Sequence, residues 1–431
     1  MNRICVIDVP GLSLRMLRQV ENLWISSPGM SPACMKPVFP ALCAPMQATL
    51  TTGAEPGSHG IVAGGIFRRE SCRIGLDERS NTLLAKKRLW HSRSMHFPKA
   101  ALLMWSHPLA GAADVVLGAM CYGPGGVSLC DQPVGLYGEV MQAVGPCDAS
   151  MLRGPDASWA ASSWIVSAAE FIWRRHEPAI QWVYLPGLDF EIVRHGLGSP
   201  QAKEALRVMD LLAHRLAESV RADGSHAVVL SNGGYVETSR VGFPNLQLAQ
   251  AGLIRLRPTD LGQMIDLENS QAVAMVDHQI AHVYCKDASA KAAAADALKN
   301  DPAVARVLGG DEAFAPGMGR DRAGDLVVLS HADAWLHYRW WFKGDDAPRA
   351  AARWDVAGKC GYDPCELFAP AYGTRECGQI DPNPNLVRAS RGLVPPDEAD
   401  WPVIASGAKL NLAGPILATA VGAAIRQLMT G

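Results

Sequence analysis

The sequence predicts an α/β fold built on a mostly parallel central sheet, because short apolar runs typical of buried strands alternate with longer helical stretches. Three such runs are Ile4–Val9, Trp182–Leu185 and Ala227–Leu230. Continuous apolar runs of this length are typical of parallel strands that are covered on both faces. Helices are predicted at Ser163–Arg175 and at Ala202–Val220, where apolar residues recur with the helical period.

Composition describes a chain that can bury one large core: 431 residues, 48% of them hydrophobic, with a net charge of −2. The near-neutral charge gives no electrostatic reason to expect nucleic acid or a membrane as a partner. The eleven cysteines show no spaced metal or disulfide pattern, and the N-terminus has no signal-peptide layout. We therefore expect reduced thiols and a cytoplasmic location, while the sequence indicates no oligomeric state.

One core domain is predicted over residues 1–431, with a cap-like insertion over approximately 255–345. Inside that insertion, Ala274–Cys285, Ala288–Leu298 and Ala303–Leu308 have the pattern of strand, helix and strand. We expect these three segments to form a small unit of their own within the larger fold.

Two further stretches have a distinctive composition. Residues 105–155 are rich in Gly, Pro and Cys and are predicted to form irregular loops. The Trp- and Tyr-rich stretch Trp335–Trp341 is expected to pack in the core or the cap, as aromatic clusters usually do.

The segment Phe39–Gly64 carries the most specific pattern in the chain. Pro45 is suited to the first turn of a helix and Gly53 to its C-terminal cap, which places Cys43 at or just before the helix N-terminus. The partial positive charge there favours a thiolate, which is the nucleophilic form of cysteine. The alternative is that Cys43 is a small buried hydrophobic residue.

Polar residues also follow the predicted core strands. Asp8 ends the first strand, Asp189 follows Trp182–Leu185 after a Pro-Gly turn, and Ser231-Asn232 follow Ala227–Leu230. Ligands of open α/β sheets gather at the carboxyl ends of strands, so we expect these residues to share one site with Cys43. Each residue alone could instead cap a helix or shape a turn.

The segment Thr49–Gly53, followed by His59–Ile61, resembles the nucleophile helix of the alkaline phosphatase superfamily, in its type I phosphodiesterase/nucleotide pyrophosphatase branch. The nucleophile of that branch, usually Thr, lies two residues before the Pro of the motif, where this chain has Cys43. The sulfatase branch begins the same helix with C-x-P-S-R, but Met46-Gln47 replace Ser-Arg, so conversion of Cys43 to formylglycine is not expected. The resemblance implies a three-layer α/β sandwich with a cap insertion.

Members of that branch bind two zinc ions, and the resemblance assigns Asp8 and Asp189 to two of the carboxylate ligands. Asn232 stands where a third carboxylate is expected. The expected histidine ligands are replaced by Val193, Gly233 and Arg391. Zinc prefers three or four N, S or O ligands in a tetrahedral arrangement, so the usual two-zinc site looks incomplete. A single hard cation such as Mg²⁺ could still use Asp8 and Asp189 with water.

Two segments resemble a bacterial subgroup of the same branch: Val276–His282 and Gly361–Phe368. They are expected to mark the fold more than the chemistry. His278 and His282 have the four-residue spacing of a helical metal pair, but their surroundings have the pattern of a strand.

These substitutions predict hydrolysis of a phosphate mono- or diester with little or no zinc. Cys43 would be the nucleophile, Arg391 would grip the phosphoryl oxygens, and Asp189 or Asp8 would act as the general acid. Asn232 would bind the anion together with Arg391.

The substrate is expected to be a small anionic molecule, and Thr49 is assigned to substrate binding with Asn232 and Arg391. Two alternatives stay open. One is a redirected enzyme of a biosynthetic pathway, such as a lyase, isomerase or transferase. The other is a pseudoenzyme that binds a ligand without turnover.

Overall fold

The computed structural model describes residues 2–76, 78–91, 99–121, 127–309, 322–352, 358–369, 383–408, 410 and 416–430. The strands, in chain order, are β1 (Ile4–Asp8), β2 (Ala33–Lys36), β3 (Ile66–Arg68), β4 (Arg73–Gly75), β5 (Ala100–Leu103), β6 (Val115–Cys121), β7 (Val127–Gln132), β8 (Ile180–Tyr184), β9 (His226–Leu230), β10 (Val236–Glu237), β11 (Arg240–Gly242), β12 (Leu256–Thr259), β13 (Gly262–Ile265), β14 (Ala272–Asp277), β15 (Ile280–Cys285), β16 (Val304–Gly309), β17 (Leu326–Ser330), β18 (Ala334–Leu336), β19 (Ala389–Ser390), β20 (Val403–Ser406) and β21 (Ile416–Leu417).

The α-helices are α1 (Leu14–Leu17), α2 (Cys43–Thr52), α3 (Pro56–His59), α4 (Leu136–Val144), α5 (Trp159–His176), α6 (Gly187–His195), α7 (Pro200–Arg221), α8 (Pro244–Gln250), α9 (Ala288–Leu298) and α10 (Ala418–Thr430). Short 3-10 helices lie at Trp24–Ser26, Arg69–Ser71, Asn81–Leu83, Leu89–His91, Ala149–Leu152, Gly344–Asp346, Arg349–Ala352, Pro364–Phe368, Pro384–Leu386 and Glu398–Asp400. Within the described ranges, none of the helices is both long and apolar enough to span a bilayer.

The main sheet has nine described strands in the order β21-β2-β20-β9-β1-β8-β5-β6-β7. The five central strands from β9 to β6 run parallel, whereas β20 and β7 pair antiparallel to their neighbours on either side. This arrangement confirms the predicted α/β class with a mostly parallel sheet. The predicted strands at residues 4–9, 182–185 and 227–230 correspond to β1, β8 and β9, and the two predicted helices correspond to α5 and α7.

Helices cover both faces of this sheet, which gives the predicted three layers. Side chains alternate along β1: Cys5 and Ile7 pack in one apolar cluster with α5, α6 and α7. Ile4 and Val6 pack on the other face, in a cluster that includes residues of α2 and α10. Because both faces are covered, the central strands are apolar at consecutive positions instead of alternating with polar residues.

The prediction of irregular loops over residues 105–155 was wrong for part of that range. Strands β6 and β7 form an antiparallel pair there, and α4 follows them. Gly118 lies inside β6, where a Cβ would sit 2.9 Å from the Cys130 Sγ and 3.1 Å from the Pro108 Cγ. Glycine in a strand often marks such a close approach, so it was not a sign of a loop here.

A second sheet, in the order β14-β15-β17-β16, is antiparallel and packs with α9. The single strand predicted at residues 274–285 is a hairpin, in which β14 and β15 are joined by His278 and Gln279. His278 adopts a φ of +58°, a left-handed conformation that Gly or Asn would have signalled. The boundaries 255–345 of the cap remain a prediction.

The aromatic stretch at residues 335–341 packs as expected. Tyr338, Trp340 and Trp341 belong to the apolar cluster of the second sheet. Trp335 belongs instead to the cluster on the α5–α7 face of the main sheet. The stretch therefore connects the two sheets through their cores.

We expect Gly361→Ala to lower the free energy of unfolding by about 3 kcal/mol, because alanine would strain the backbone and overlap a neighbouring strand. Gly361 has a φ of +138° and forms a parallel bridge with Val276, whose backbone lies inside contact distance of a Cβ. Urea unfolding measures the effect. Gly138→Ala is the matched control, since Gly138 lies within α4 with open space around its Cβ position. Equal stability of the two variants would contradict this account of the bridge.

Candidate functional site

Helix α2 places Cys43 at the edge of the main sheet where the parallel strands end. The helix begins at Cys43 itself, after Leu42 in an extended conformation, and ends at Thr52, with Gly53 as its C-terminal cap at a left-handed φ of 70°. This agrees with the roles predicted for Pro45 and Gly53. The Cys43 side chain is partly exposed, whereas Gln47, one helical turn later, is 1% exposed.

Asp8 and Asn232 form the buried floor of the site. Asp8 is the last residue of β1, Asn232 lies just after the neighbouring parallel strand β9, and both side chains are fully buried. The Asp8 Oδ1 accepts from the backbone N–H of Asn232 at 2.9 Å, and its Oδ2 accepts from the Asn232 Nδ2 at 2.8 Å. The Gln47 Nε2 donates to the same Oδ2 at 3.0 Å. Three donors from the protein therefore hold this carboxylate.

The Asn232 amide connects this floor to two further groups. Its Nδ2 lies 3.4 Å from the Cys43 Sγ, and its Oδ1 accepts from the Arg391 Nη1 at 3.3 Å. One side chain thus fixes the relative positions of the thiol, the guanidinium and the Asp8 carboxylate. Because an amide has one donor end and one acceptor end, this arrangement also fixes its orientation.

Arg391 is 5% exposed and lies between Asn232 and Asp189. Its Nη2 is 3.5 Å from the Asp189 Oδ2, and its guanidinium lies 5.0 Å from the centre of the Tyr235 ring. The Nε has no hydrogen-bond partner among the described residues. Asp189 also accepts hydrogen bonds from the Tyr184 hydroxyl at 3.4 Å and from the Tyr235 hydroxyl.

The residues present do not fit a pair of zinc ions. A Cβ at Gly233 would lie 3.6 Å from the Arg391 Cδ and Nη1. Gly233 stands at the position of one expected histidine and Arg391 at the position of another, so the Arg391 guanidinium lies next to the space that the first histidine would need. Val193, at the third position, lies within α6, and its side chain is 1% exposed in the core. Of the residues that the structure describes, no histidine lies within hydrogen-bonding distance of Asp8 or Asp189.

A cavity of about 270 Å³ opens above these groups. Cys43, Gln47, Asp189 and Arg391 line it, while Asp8 and Asn232 lie behind them. Further lining side chains come from the ends of strands β5, β8 and β14, from α6 and from the segment after Gly361; they include Met104, Tyr184, Phe190, Asp277, His278 and Tyr362. The site predicted at the strand ends is therefore a cleft between the two sheets.

Thr49 does not belong to this cleft, contrary to its assignment as a substrate-binding residue. Its side chain is fully buried, and its hydroxyl hydrogen-bonds with the His59 Nε2 at 3.0 Å. Six positions after Cys43, Thr49 faces away from the cavity and ties α2 to the turn after it. His59 in turn accepts from the backbone N–H of Ile61 at 3.1 Å through its Nδ1.

Burial dominates the protonation of the site. It raises the pKa of the Cys43 thiol to about 12, although the nearby Arg391 opposes that shift. Burial also raises the pKa of Asp8 to about 7 and raises the pKa of Asp189, where Arg391 again acts in the opposite direction. The expectation that the helix N-terminus holds Cys43 as a thiolate is not supported, because desolvation disfavours the charged form.

Iodoacetamide is therefore expected to label Cys43 slowly near neutral pH. A pKa of about 12 leaves a thiolate fraction on the order of 10⁻⁵ at pH 7. The labelling rate should rise about tenfold per pH unit up to pH 10. Peptide mapping by mass spectrometry separates Cys43 from Cys72, a partly exposed reference thiol. Faster labelling of Cys43 than of Cys72 at pH 7 would contradict the expectation.

A second polar cluster lies beside the cleft. His337, Asp363 and Cys365 are buried with ligand atoms within 4.8 Å of one another. The Lys359 ammonium already occupies this cluster, since its Nζ lies 2.7 Å from the Asp363 Oδ2 and 3.2 Å from the Glu366 Oε1. Burial also lowers the pKa of His337 to about 4, which keeps its imidazole neutral. We assign no metal to this cluster because its acidic groups already have a cation.

Sequence reasoning missed several residues that shape the cleft. Gln47 was noted only as a departure from the sulfatase motif, although its four-residue spacing from Cys43 places both on one helix face. Its Oε1 accepts from the backbone N–H of Ser106 at 2.9 Å, so it also holds the loop after β5. Asp277 and Tyr362 lie in the two segments interpreted as fold markers, and no local pattern identified them as cleft residues.

The mostly parallel sheet, the helix that begins at Cys43 and the carboxylates near the strand ends form the arrangement that the resemblance to the alkaline phosphatase superfamily implies. Residues 24–363 match the family described as type I phosphodiesterase / nucleotide pyrophosphatase, and the chain belongs to that family. This confirms the resemblance stated from the nucleophile helix. No curated protein sequence matches the chain.

Solved structures show the same fold over nearly the whole chain. Human ectonucleotide pyrophosphatase / phosphodiesterase 5 is similar with a TM-score of 0.62 and 12% identity, over 99% of this chain and 95% of that one. The murine protein of the same name has a TM-score of 0.61 and 13% identity over the same shares. Phosphonoacetate hydrolase from Sinorhizobium meliloti 1021, in complex with phosphonoacetate, has a TM-score of 0.59 and 14% identity, over 99% and 96%.

Proposed function

We propose that this protein hydrolyses a small phosphate mono- or diester through Cys43, with Arg391 supplying the positive charge that two zinc ions would otherwise supply. The observation that carries the proposal is the Asn232 amide, which lies 3.4 Å from the Cys43 Sγ and 3.3 Å from the Arg391 Nη1. A nucleophile and an anion-binding group are thereby held at the same end of one cleft.

Binding of the phosphoryl group is the first task of these residues. The Arg391 Nε has no partner in the part of the chain that the structure describes, and its Nη2 makes only a long contact of 3.5 Å to Asp189. A guanidinium with unsatisfied donors favours two parallel bonds to a phosphoryl group. The N-terminus of α2 adds its partial positive charge beside Cys43.

Two displacements complete the reaction. In the first, the Cys43 Sγ bonds to phosphorus while the P–O bond to the leaving alcohol breaks. The thiol proton passes through Asp189 to the leaving oxygen, so the products are an S-phosphorylated cysteine and the alcohol. In the second, water attacks phosphorus, the P–S bond breaks, and a proton from the water returns to the Sγ. The raised pKa of Asp189 suits a group that must hold a proton briefly.

Arg391 also assists the thiol, because its charge opposes the effect of burial on the pKa of Cys43. Asp8 has a different role, since three donors surround it and it does not line the cavity. It orients Gln47, which lines the cleft, and Asn232, which contacts Cys43 and Arg391 from behind. Asn232 is fully buried and outside the cavity lining, contrary to its assignment as an anion-binding residue. The proposal places the protein in the cytoplasm, where Cys43 stays reduced.

Trapping the phosphorylated cysteine tests the proposal directly. The wild type is incubated with an aryl phosphate and an aryl phosphodiester, quenched rapidly and analysed by peptide mass spectrometry. We expect a phosphate adduct on Cys43 and a loss of turnover of at least about 10³-fold in Cys43→Ser. Cys72→Ser is the matched control and should retain turnover, because Cys72 lies outside the cleft. Undiminished turnover in a Cys43→Ser, Arg391→Ala double variant would overturn the proposal.

A ligand-binding or redirected, non-hydrolytic protein is the second candidate. The observation that favours it is the protonation state of the nucleophile, since burial raises the pKa of Cys43 to about 12. Binding of phosphate esters by calorimetry with no turnover of either ester class would support this candidate over hydrolysis.

A further inference from the structure

Asp277 is a buried carboxylate on the wall of the cleft that the proposed reaction does not use. It ends β14, is 6% exposed and lines the cavity above Cys43. Its Oδ2 accepts one hydrogen bond, from the backbone N–H of Gly64 at 2.7 Å. Within the described ranges, no arginine, lysine or histidine lies within ion-pair distance of it. The charge of Arg391 acts on it from farther away and lowers its pKa, against the stronger effect of burial, which raises that pKa to about 6.

The other carboxylates that line the cavity each have a cation. The pairs are Asp189 with Arg391 at 3.5 Å, Asp363 with Lys359 at 2.7 Å, and Glu366 with Arg153 at 2.8 Å. A buried charge without a counter-charge is costly, so an unpaired carboxylate on the wall of a cavity points to a ligand that brings the cation.

Hydrogen bonds connect the Asp277 wall to Arg391. The hairpin turn after β14 donates from the Gln279 N–H to the Arg391 carbonyl at 3.0 Å. The His278 Nδ1 lies 3.3 Å from the Ser390 Oγ, next to Arg391 in sequence. The anion-binding guanidinium and the unpaired carboxylate therefore face one cavity from adjoining segments.

An aromatic ring accompanies the carboxylate. Tyr362 lines the cavity and stacks on His278 with ring centres 4.5 Å apart. Its backbone N–H donates to the Val276 carbonyl at 3.0 Å, which places Tyr362 beside the residue that precedes Asp277. A tyrosine ring near a carboxylate is a favourable surface for an ammonium group.

We propose that the substrate carries an ammonium group on a short chain, with its phosphoryl group at Arg391 and its ammonium at Asp277. The placement of the phosphoryl group rests on the proposed function. A cavity of about 270 Å³ suits a small zwitterionic ester and is below the range of typical drug-sized ligand sites. Asp277 is then the residue that selects a cationic substituent over a neutral one.

Calorimetry with two isosteric ligands tests the selection. 2-Aminoethyl phosphate carries an ammonium group where propyl phosphate carries a methyl group. Binding is measured in the Cys43→Ser variant, so that the esters are not turned over. We expect the ammonium ester to bind about tenfold more tightly or better, and Asp277→Asn in the same background to remove that preference. Asp260→Asn is the charge-matched control, since Asp260 is exposed and outside this cavity. Equal affinity for the two esters, or a preference that persists in Asp277→Asn, would overturn the proposal.

A second measurement does not depend on phosphate binding. Cys43 is modified with 2-aminoethyl and propyl methanethiosulfonate, in which the thiolate attacks the sulfenyl sulfur and methanesulfinate leaves. The measured quantity is the ratio of the modification rate with the cationic reagent to the rate with the neutral reagent. This ratio should be about tenfold higher in the wild type than in the Asp277→Asn variant. An unchanged ratio would overturn the inference even if both esters are hydrolysed. A changed ratio with no phosphate binding would retain it and refute the proposed hydrolysis.

Discussion

Replacing Arg391 with methionine is expected to lower kcat/KM for a phosphate ester by about 10³-fold, because in the proposed reaction this side chain provides the positive charge beside Cys43. Methionine keeps much of the volume of the buried stem but removes the contacts to Asn232 and Asp189. It also removes the charge that opposes the raised pKa of Cys43, so the thiol becomes harder to ionise. Steady-state kinetics with an aryl phosphate and an aryl phosphodiester measures the loss.

Two controls separate the role of this charge from a structural role. Arg391→Lys keeps the charge and loses the planar fork, so an intermediate loss is expected. Arg207→Met removes an exposed arginine whose ion pair among the described residues is with Glu204, also in α7, and should leave turnover unchanged. Wild-type kcat/KM in a folded Arg391→Met variant would show that this guanidinium does not bind the reacting group.

Asn232→Asp should destabilise the protein by about 3–5 kcal/mol at pH 8, because it places two ionised carboxylates in contact in a buried site. The Asn232 Nδ2 now donates to the Asp8 Oδ2 at 2.8 Å, and an aspartate oxygen there has no proton to donate. Repulsion between the two carboxylates at positions 8 and 232 raises their pKa in the folded state. As the pH falls, the folded state therefore binds a proton at a pH where the unfolded state does not yet bind one. The destabilisation should therefore shrink as the pH falls from 8 toward 5.

The same variant tests the tendency of the site to bind metal. Asn232→Asp adds a third carboxylate to those of Asp8 and Asp189, beside the Cys43 thiol, and so creates an acidic pocket for a divalent cation. Zn²⁺ should therefore restore part of the lost stability. Asn245→Asp is the matched control: Asn245 is equally buried, but its amide bonds to the backbone of Ala274 and Tyr338. Chemical unfolding at pH 5 and pH 8, with and without Zn²⁺, measures both effects. Equal pH and Zn²⁺ responses in the two variants would contradict this account.

The strands that carry the site were predictable because they are buried on both faces. Ile4–Asp8 and His226–Leu230 are apolar through most of their length; the first ends at Asp8, and Asn232 lies two residues after the second. Helix α2 was predictable from Pro45 and Gly53, whose backbone preferences suit its two ends. These signals are local, so the sequence carries them without knowledge of the packing.

The second sheet gave weaker signals. A turn at His278-Gln279 lacks the Gly or Asn that usually marks a two-residue hairpin loop, and the apolar residues on both sides hide it. The fold identifies Asp277 as a cleft residue, because the hairpin places it in contact with Gly64, more than 200 positions away in the sequence. Contacts between segments so distant in sequence leave no spacing that a pattern can reveal.

The protonation state of Cys43 could not be predicted from the neighbouring sequence either. The helix N-terminus predicted an ionised Cys43, but the surrounding side chains desolvate the thiol and raise its pKa. Thr49 matches the family motif, yet its helical position directs its hydroxyl to His59. Motif matches identified the helix correctly, whereas the direction and environment of each side chain required the fold.

Metal content and chelator sensitivity test whether Arg391 takes the place of metal ions as the cation of this site. The wild type is purified without chelator, its metals are quantified by mass spectrometry, and turnover of a phosphate ester is measured before and after treatment with a strong chelator. We expect much less than one zinc per chain and turnover unchanged by chelation. Two zinc ions per chain, with turnover lost on chelation and restored by Zn²⁺, would contradict the account.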